Sequence, residues 1–100
     1  MCIRDSILSD LAIEDLANIF RYTIDVWGER QAYRYQEHLD NGLAAITENP
    51  TLILSKDAQR YFPDARSLKV EKHYIYYIVE DEQIIVLRIL HQSMNPELHL

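Results

Sequence analysis

The spacing of apolar residues changes period once, near Pro50, and that change constrains the fold more than any other feature of the chain. Before it, apolar residues recur every three or four positions; after a short irregular stretch, they recur every second position. A helix face needs the first rhythm and a half-buried strand the second. Ala12, Leu16, Ile19, Phe20, Thr23 and Trp27 mark one helical face. Ser9 and Asp10 precede it as N-cap candidates, because either side-chain oxygen can accept an otherwise unpaired backbone N–H. Gly28 interrupts, as a residue able to take positive φ after a helix end. Ala32, Tyr35, Leu39, Leu43 and Ile46 then carry a second helix from Glu29 to about Glu48. Asn49-Pro50 ends it, since the residue before proline avoids the helical region. A link this short between two long helices implies an antiparallel hairpin. Trp27, beside the glycine, is expected to plug the core where the helices turn. Gly42 costs about 1 kcal/mol against alanine inside a helix, which suggests a close approach of helix and sheet.

Residues 51–64 lose the pattern: "TLIL" reads as a brief strand, and "KDAQRYFPD" as a helical turn or loop closed at Pro63. Beyond them "RSLKV", "HYIYYIVE" and "QIIVLRILH" are rich in β-branched and aromatic residues and read as strands. Glu71-Lys72 and Asp81-Glu82 separate them by hairpin-sized gaps, without the glycine or asparagine favoured there. Near the start, Ile3, Ile7 and Leu8 suggest a short edge strand that Arg4-Asp5-Ser6 interrupts, so residues 1–7 carry little of the pattern. The fold class is α+β: one domain over residues 1–100, with an N-terminal antiparallel helical hairpin packed on a small curved antiparallel β-sheet. Strict alternation in the last strand puts Ile84, Val86, Arg88 and Leu90 on one face, and Ile85, Leu87, Ile89 and His91 on the other. A strand apolar on both faces is central or covered twice. The helices cover one face; an external partner is expected to cover the other.

Charge narrows the function. Sixteen acidic residues against ten basic give a formal net charge of −6. Phosphate neutralisation supplies most of the affinity for a nucleic-acid backbone, so direct nucleic-acid binding is not expected. No apolar run approaches the roughly 18 to 20 residues of a membrane span. The single cysteine, Cys2, cannot form an internal disulfide, which suits a cytoplasmic location. His38, His73, His91 and His99 lack regular ligand spacing, so no metal is expected. Two distant glycines make no phosphate loop, and no cofactor is expected. A metal-free ribonuclease needs a base, an acid and cations for the scissile phosphate. Arg66, His73, Arg88 and His91 are the residues that would have to converge on the open sheet face. The alternatives are structural, with Arg88 paired to a helix carboxylate and His91 capping its strand, or recognition of a protein partner. Tyr33, Tyr35, Tyr74, Tyr76 and Tyr77 suit strands and interfaces better than base stacking in so acidic a chain.

Several motifs in order carry a resemblance. "LS..A..DL..I..YT...WG..QA..Y", the "NP" that ends the second helix, "H.I.Y" and "RILH..M" resemble the ParE-type toxins of the RelE/ParE superfamily from Leu8 onward. Trp27, Gly28, Gln31 and Ala32 match the family's helical turn; His73, Arg88, His91 and Met94 match its sheet and tail. The resemblance implies a toxin of a bacterial type II toxin–antitoxin pair that inhibits DNA gyrase by protein binding, with a ParD-type antitoxin as partner. It implies no catalytic residues. Arg66, His73, Arg88, His91 and Met94 are expected to meet a partner. RelE-type relatives instead cleave messenger RNA on the ribosome, using a cluster of basic side chains that this chain lacks. That activity, and antitoxin binding without toxicity, are the alternatives. The chain departs from the family at Asn95, where aspartate is common, and lacks the usual glycine after Pro50.

Overall fold

Ser9 decides where the helices begin. A computed structural model describes residues 5–51 and 55–100. In it the Ser9 hydroxyl accepts the Ala12 N–H at 3.1 Å and donates to the Leu87 carbonyl at 2.7 Å. One side chain thus caps the first helix and ties it to the last strand. The elements run β1 (Asp5–Leu8), α1 (Asp10–Trp27), α2 (Glu29–Glu48), β2 (Lys56–Asp57), β3 (Arg66–Val70), β4 (His73–Glu80), β5 (Gln83–His91) and α3 (Pro96–His99). Among the described residues, no helix is long and apolar enough to cross a membrane.

Gly28 alone links α1 to α2. Its φ of +92° lets the chain reverse while its N–H closes on the Ile24 carbonyl at 2.9 Å. The other glycine works by absence: a Cβ on Gly42 would lie 2.6 Å from Val70 Cγ2. That gap brings α2 down onto β3 and β4, and the expected close approach is present.

The sheet order is β1-β5-β4-β3-β2. The three long strands form the expected meander, through turns with positive φ at Glu71, Asp81 and Glu82. Two details differ from the sequence reading. First, β1 pairs with β5 in parallel, so the sheet is mixed rather than purely antiparallel. The helical hairpin serves as the crossover that parallel pairing requires. Asp5 and Ser6 belong to this strand instead of interrupting it, because backbone bonds hold an edge strand and polar side chains suit one. Second, "KDAQRYFPD" opens with the two-residue β2, paired to β3, before the loop. The strand expected for "TLIL" and the contribution of Ile3 to the edge lie outside the described residues.

A bulge corrects the face assignment on β5. Tyr77 pairs with Val86 and Tyr76 with Arg88, leaving Leu87 unopposed. Alternation shifts there. Ile84, Val86 and Ile89 enter the helix-side core with Leu39, Ile46, Ile75 and Tyr77, while Leu87 and Leu90 pack on the far face. The Tyr77 hydroxyl, buried in that core, donates to the Pro50 carbonyl just past α2. The far face is also less bare than expected. Ala58, Ala65, Tyr61, Phe62 and Leu100 pack there around Tyr76 and Leu90, so the chain's own loop and tail form part of the cover.

Candidate functional site: an imidazole pair in an aromatic cleft

His73 opens β4 directly after the Glu71-Lys72 turn, and His91 closes β5. Antiparallel register sets them opposite each other, on the same side as Ile75 and Ile89 and therefore toward the helices. Their rings meet edge to face, with centroids 5.2 Å apart. Tyr35 lies one turn before the buried Leu39 on α2, so its ring also points at the sheet and stands edge-on to His73. Its oxygen accepts the Lys72 backbone N–H at 3.1 Å and shares a hydrogen bond of 2.6 Å with His73 Nδ1. Across the pair, Ser93 donates its backbone N–H to His91 Nδ1 at 3.1 Å. Ser93 makes His91 Nδ1 an acceptor, so a neutral His91 ring carries its proton on Nε2; His73 does the same where the Tyr35 hydroxyl is the donor.

Burial is the main reason the His73 ring resists protonation: its pKa falls to about 4, helped by neighbouring His91 and partly offset by Asp15. The Tyr35 hydroxyl is pushed up, chiefly by burial; the Lys72 hydrogen bond offsets this and the charge of Glu71 adds to it. Around these groups lies a cleft of about 380 Å³, walled by Tyr22, Trp27 and Gln31 of the hairpin and by the β3–β4 turn. His38 and Glu71 approach within 4.0 Å along the same wall, both about half exposed.

The sheet arginines lie elsewhere. Arg88 grips Asp15 of α1 with two bonds of 2.8 Å, and Asp15 also accepts the Ile89 N–H at 3.0 Å. Bonding to Asp15 raises the Arg88 pKa against a smaller opposing effect of burial. The carboxylate closes the edge of β5 beyond the end of β1. Arg66 begins β3, at the opposite end from the turn that carries His73, and its guanidinium donates to Ser55 at 2.8–3.3 Å. Met94, partly exposed, follows on the turn after His91, where its N–H bonds the His91 carbonyl. Of the expected partner residues, the fold unites His73 and His91, keeps Met94 near, and takes Arg66 and Arg88 to separate edges. No guanidinium among the described residues lines the cleft. Among the described residues, no group of three or more His, Cys, Asp or Glu is placed to hold a metal ion.

Trp27 is a correction. It is 66% exposed on the cleft wall, not a core plug. As the last residue of α1 it sits where the chain is already turning. Ala32, by contrast, is buried. Tyr35, Asp15 and Lys72 join these clusters without having been singled out as site residues. Tyr35 carried a signal, since its helical step from Leu39 aims it at the sheet. Asp15 carried none, because the polar side of α1 holds several carboxylates.

The family model for the ParE toxin of type II toxin–antitoxin systems, parDE, matches residues 7–96. A Toxin ParE of Escherichia coli is 36% identical over 92 residues, covering 89% of this chain and 85% of that protein. Among solved structures, the chromosomal ParDE system of P. aeruginosa superposes with a TM-score of 0.79 at 16% identity, over 91% of this chain and 98% of that one. A chain of the RelBE2 toxin–antitoxin complex of Mycobacterium tuberculosis gives 0.60 at 16% identity, over 89% and 98%. At these identities the two structures speak for the RelE/ParE fold.

Proposed function

The chain belongs to the ParE toxin family of type II toxin–antitoxin systems, and from that membership we propose that it inhibits DNA gyrase in the cytoplasm by binding it, without cutting a substrate, until a ParD-type antitoxin covers it. One observation carries the non-enzymatic reading: the arginines and the imidazoles do not converge. Arg88 is held by Asp15, and Arg66 by Ser55 at the other end of the sheet. The Ser93 N–H occupies the unprotonated nitrogen of a neutral His91, which leaves that ring no free base for a ribose hydroxyl. A net charge of −6 adds to this by disfavouring a broad hold on RNA.

Binding, in contrast, has surface to work with. Leu11, Tyr22, Val26, Trp27 and Tyr33 are large, apolar or aromatic, and more than half exposed on the hairpin. Tyrosine and tryptophan in such positions are the residue types that dominate protein interfaces. The antitoxin covers this face with an amphipathic helix and buries about 1,600 Å² or more, as a durable complex needs. His73, His91 and Met94 lie at the rim of that contact, and Arg88 and Arg66 act at one remove by fixing the strand edges.

The test is a supercoiling assay with purified gyrase and relaxed plasmid. The chain is expected to block supercoiling, and added antitoxin to restore it. The imidazole pair favours a RelE-like ribonuclease as second reading. Ribosome-bound messenger RNA cleaved by the chain, and left intact by Arg88→Ala and His91→Ala, would establish that activity instead.

A further inference from the structure

The cleft shares Tyr22 and Trp27 with the proposed antitoxin face, but its paired imidazoles offer a chemistry beyond that of a contact rim. Ser93 fixes His91 Nδ1 as an acceptor, which leaves Nε2–H as that ring's donor, and a Tyr35 hydroxyl that donates to His73 Nδ1 sets the second ring the same way. A transition metal would need a bare nitrogen, so the pair suits an acceptor. Lys72 in the same wall brings positive charge toward an anionic one, while the neighbouring Glu71 carboxylate is turned to His38 at 4.0 Å. Trp27 and Tyr22, both well exposed, offer flat faces beside these donors. A volume of about 380 Å³ is that of a small-molecule site and is too small for a docked helix.

We propose that this cleft binds a small ligand joining a flat ring to an oxyanion, a nucleoside monophosphate in chemical class, with the ring against Trp27 and the oxyanion on the Nε2–H groups of His73 and His91. A polynucleotide is disfavoured by the net charge of −6, which penalises each further phosphate. One phosphate matches the donors available.

Trp27 is the only tryptophan, so its fluorescence reports the cleft directly. The experiment titrates the folded chain with adenosine monophosphate, inorganic phosphate, adenosine and a single-stranded hexanucleotide. Tryptophan emission and the imidazole ¹⁵N and ¹H signals are followed together. Adenosine monophosphate is expected to quench Trp27 and shift the Nε2 signals of both histidines, more tightly than phosphate or adenosine alone. Trp27→Ala, read by the imidazole signals, is expected to weaken binding about tenfold, as loss of one ring stack does. His91→Ala is expected to weaken it by a similar factor of about ten through a lost bond to a charged group. Thermal unfolding of both variants shows that they remain folded.

Several results would overturn the proposal. One is no response to millimolar adenosine monophosphate. Another is phosphate or adenosine binding as tightly as the nucleotide. A hexanucleotide that binds more tightly, with a steep salt dependence, would make the cleft part of a nucleic-acid groove and overturn it too.

Discussion

The Asp15 carboxylate holds a guanidinium with both oxygens and a strand-edge N–H with one of them, at 12% side-chain exposure. Removing it strands the Arg88 charge and orphans the Ile89 donor. Asp15→Ala is therefore expected to destabilise the fold by about 3 kcal/mol. Urea unfolding checks this, and a loss under about 1 kcal/mol, the size of an exposed pair, contradicts it. His73 gives the fold a pH dependence. Its ring takes a proton near 6.5 in the unfolded chain but near 4 in the folded one. Between those values the unfolded chain binds more protons, so this contribution to stability is whole above pH 6.5 and declines as pH falls toward 4. His73→Gln is expected to flatten that part of the profile; an unchanged slope in urea titrations at pH 7 and pH 4.5 would contradict the assignment. Some of this detail was open to sequence reasoning and some was not. A helix carboxylate for Arg88 is among the sequence readings, but the bulge at Leu87 that sets the side chain's direction leaves no mark in the alternation. The His73–His91 contact depends on hairpin register, which periodicity alone does not fix.

The elements themselves are largely legible, since each is written in local chemistry. Both long helices run over the residues that spacing, Ser9, Gly28 and Asn49-Pro50 predict, and the three long strands keep their expected limits. What escapes is pairing across distance: a parallel β1 and a two-residue β2 are held by backbone bonds that need no particular side chains. Two substitutions probe the elements. Gly42→Ala gains about 1 kcal/mol of helix propensity. It also drives a methyl group to 2.6 Å from a stiff Val70 side chain. Overpacking of this kind costs about 1–3 kcal/mol, so a net loss of stability is expected in thermal unfolding; a higher Tm contradicts the close contact. Glu82 sits at φ +62° beside Asp81 at +50°, a turn in which both central residues are left-handed. Glu82→Gly relieves that and is expected to stabilise by about 1 kcal/mol. A destabilised variant would mean that the turn has another geometry.

At the scale of the molecule, stability and partner binding are separated in space. The larger buried cluster lies between hairpin and sheet and a smaller one on the sheet's far face, while six of the large exposed residues, Leu11, Ile13, Tyr22, Val26, Trp27 and Tyr33, belong to the hairpin. That hairpin carries eight acidic residues against three basic ones, so the partner that covers it is expected to be basic as well as apolar. Tyr22→Ala combined with Val26→Ser is expected to change folding stability little, because both residues are more than half exposed. The same pair is expected to weaken antitoxin binding about tenfold or more, read by calorimetry. Unaltered affinity would move the interface elsewhere. The sequence indicates that one surface awaits a partner but points to the far face of the sheet. The loop after β2 and the C-terminal tail take part of that cover themselves, and Trp27 leaves the core for the surface. Whether the protein binds or cuts is read most directly in one culture expressing the chain without antitoxin, by measuring plasmid superhelicity and mapping messenger RNA ends together. Relaxed plasmid with intact messages is the predicted result; normal superhelicity with messages cut inside their coding regions would contradict it.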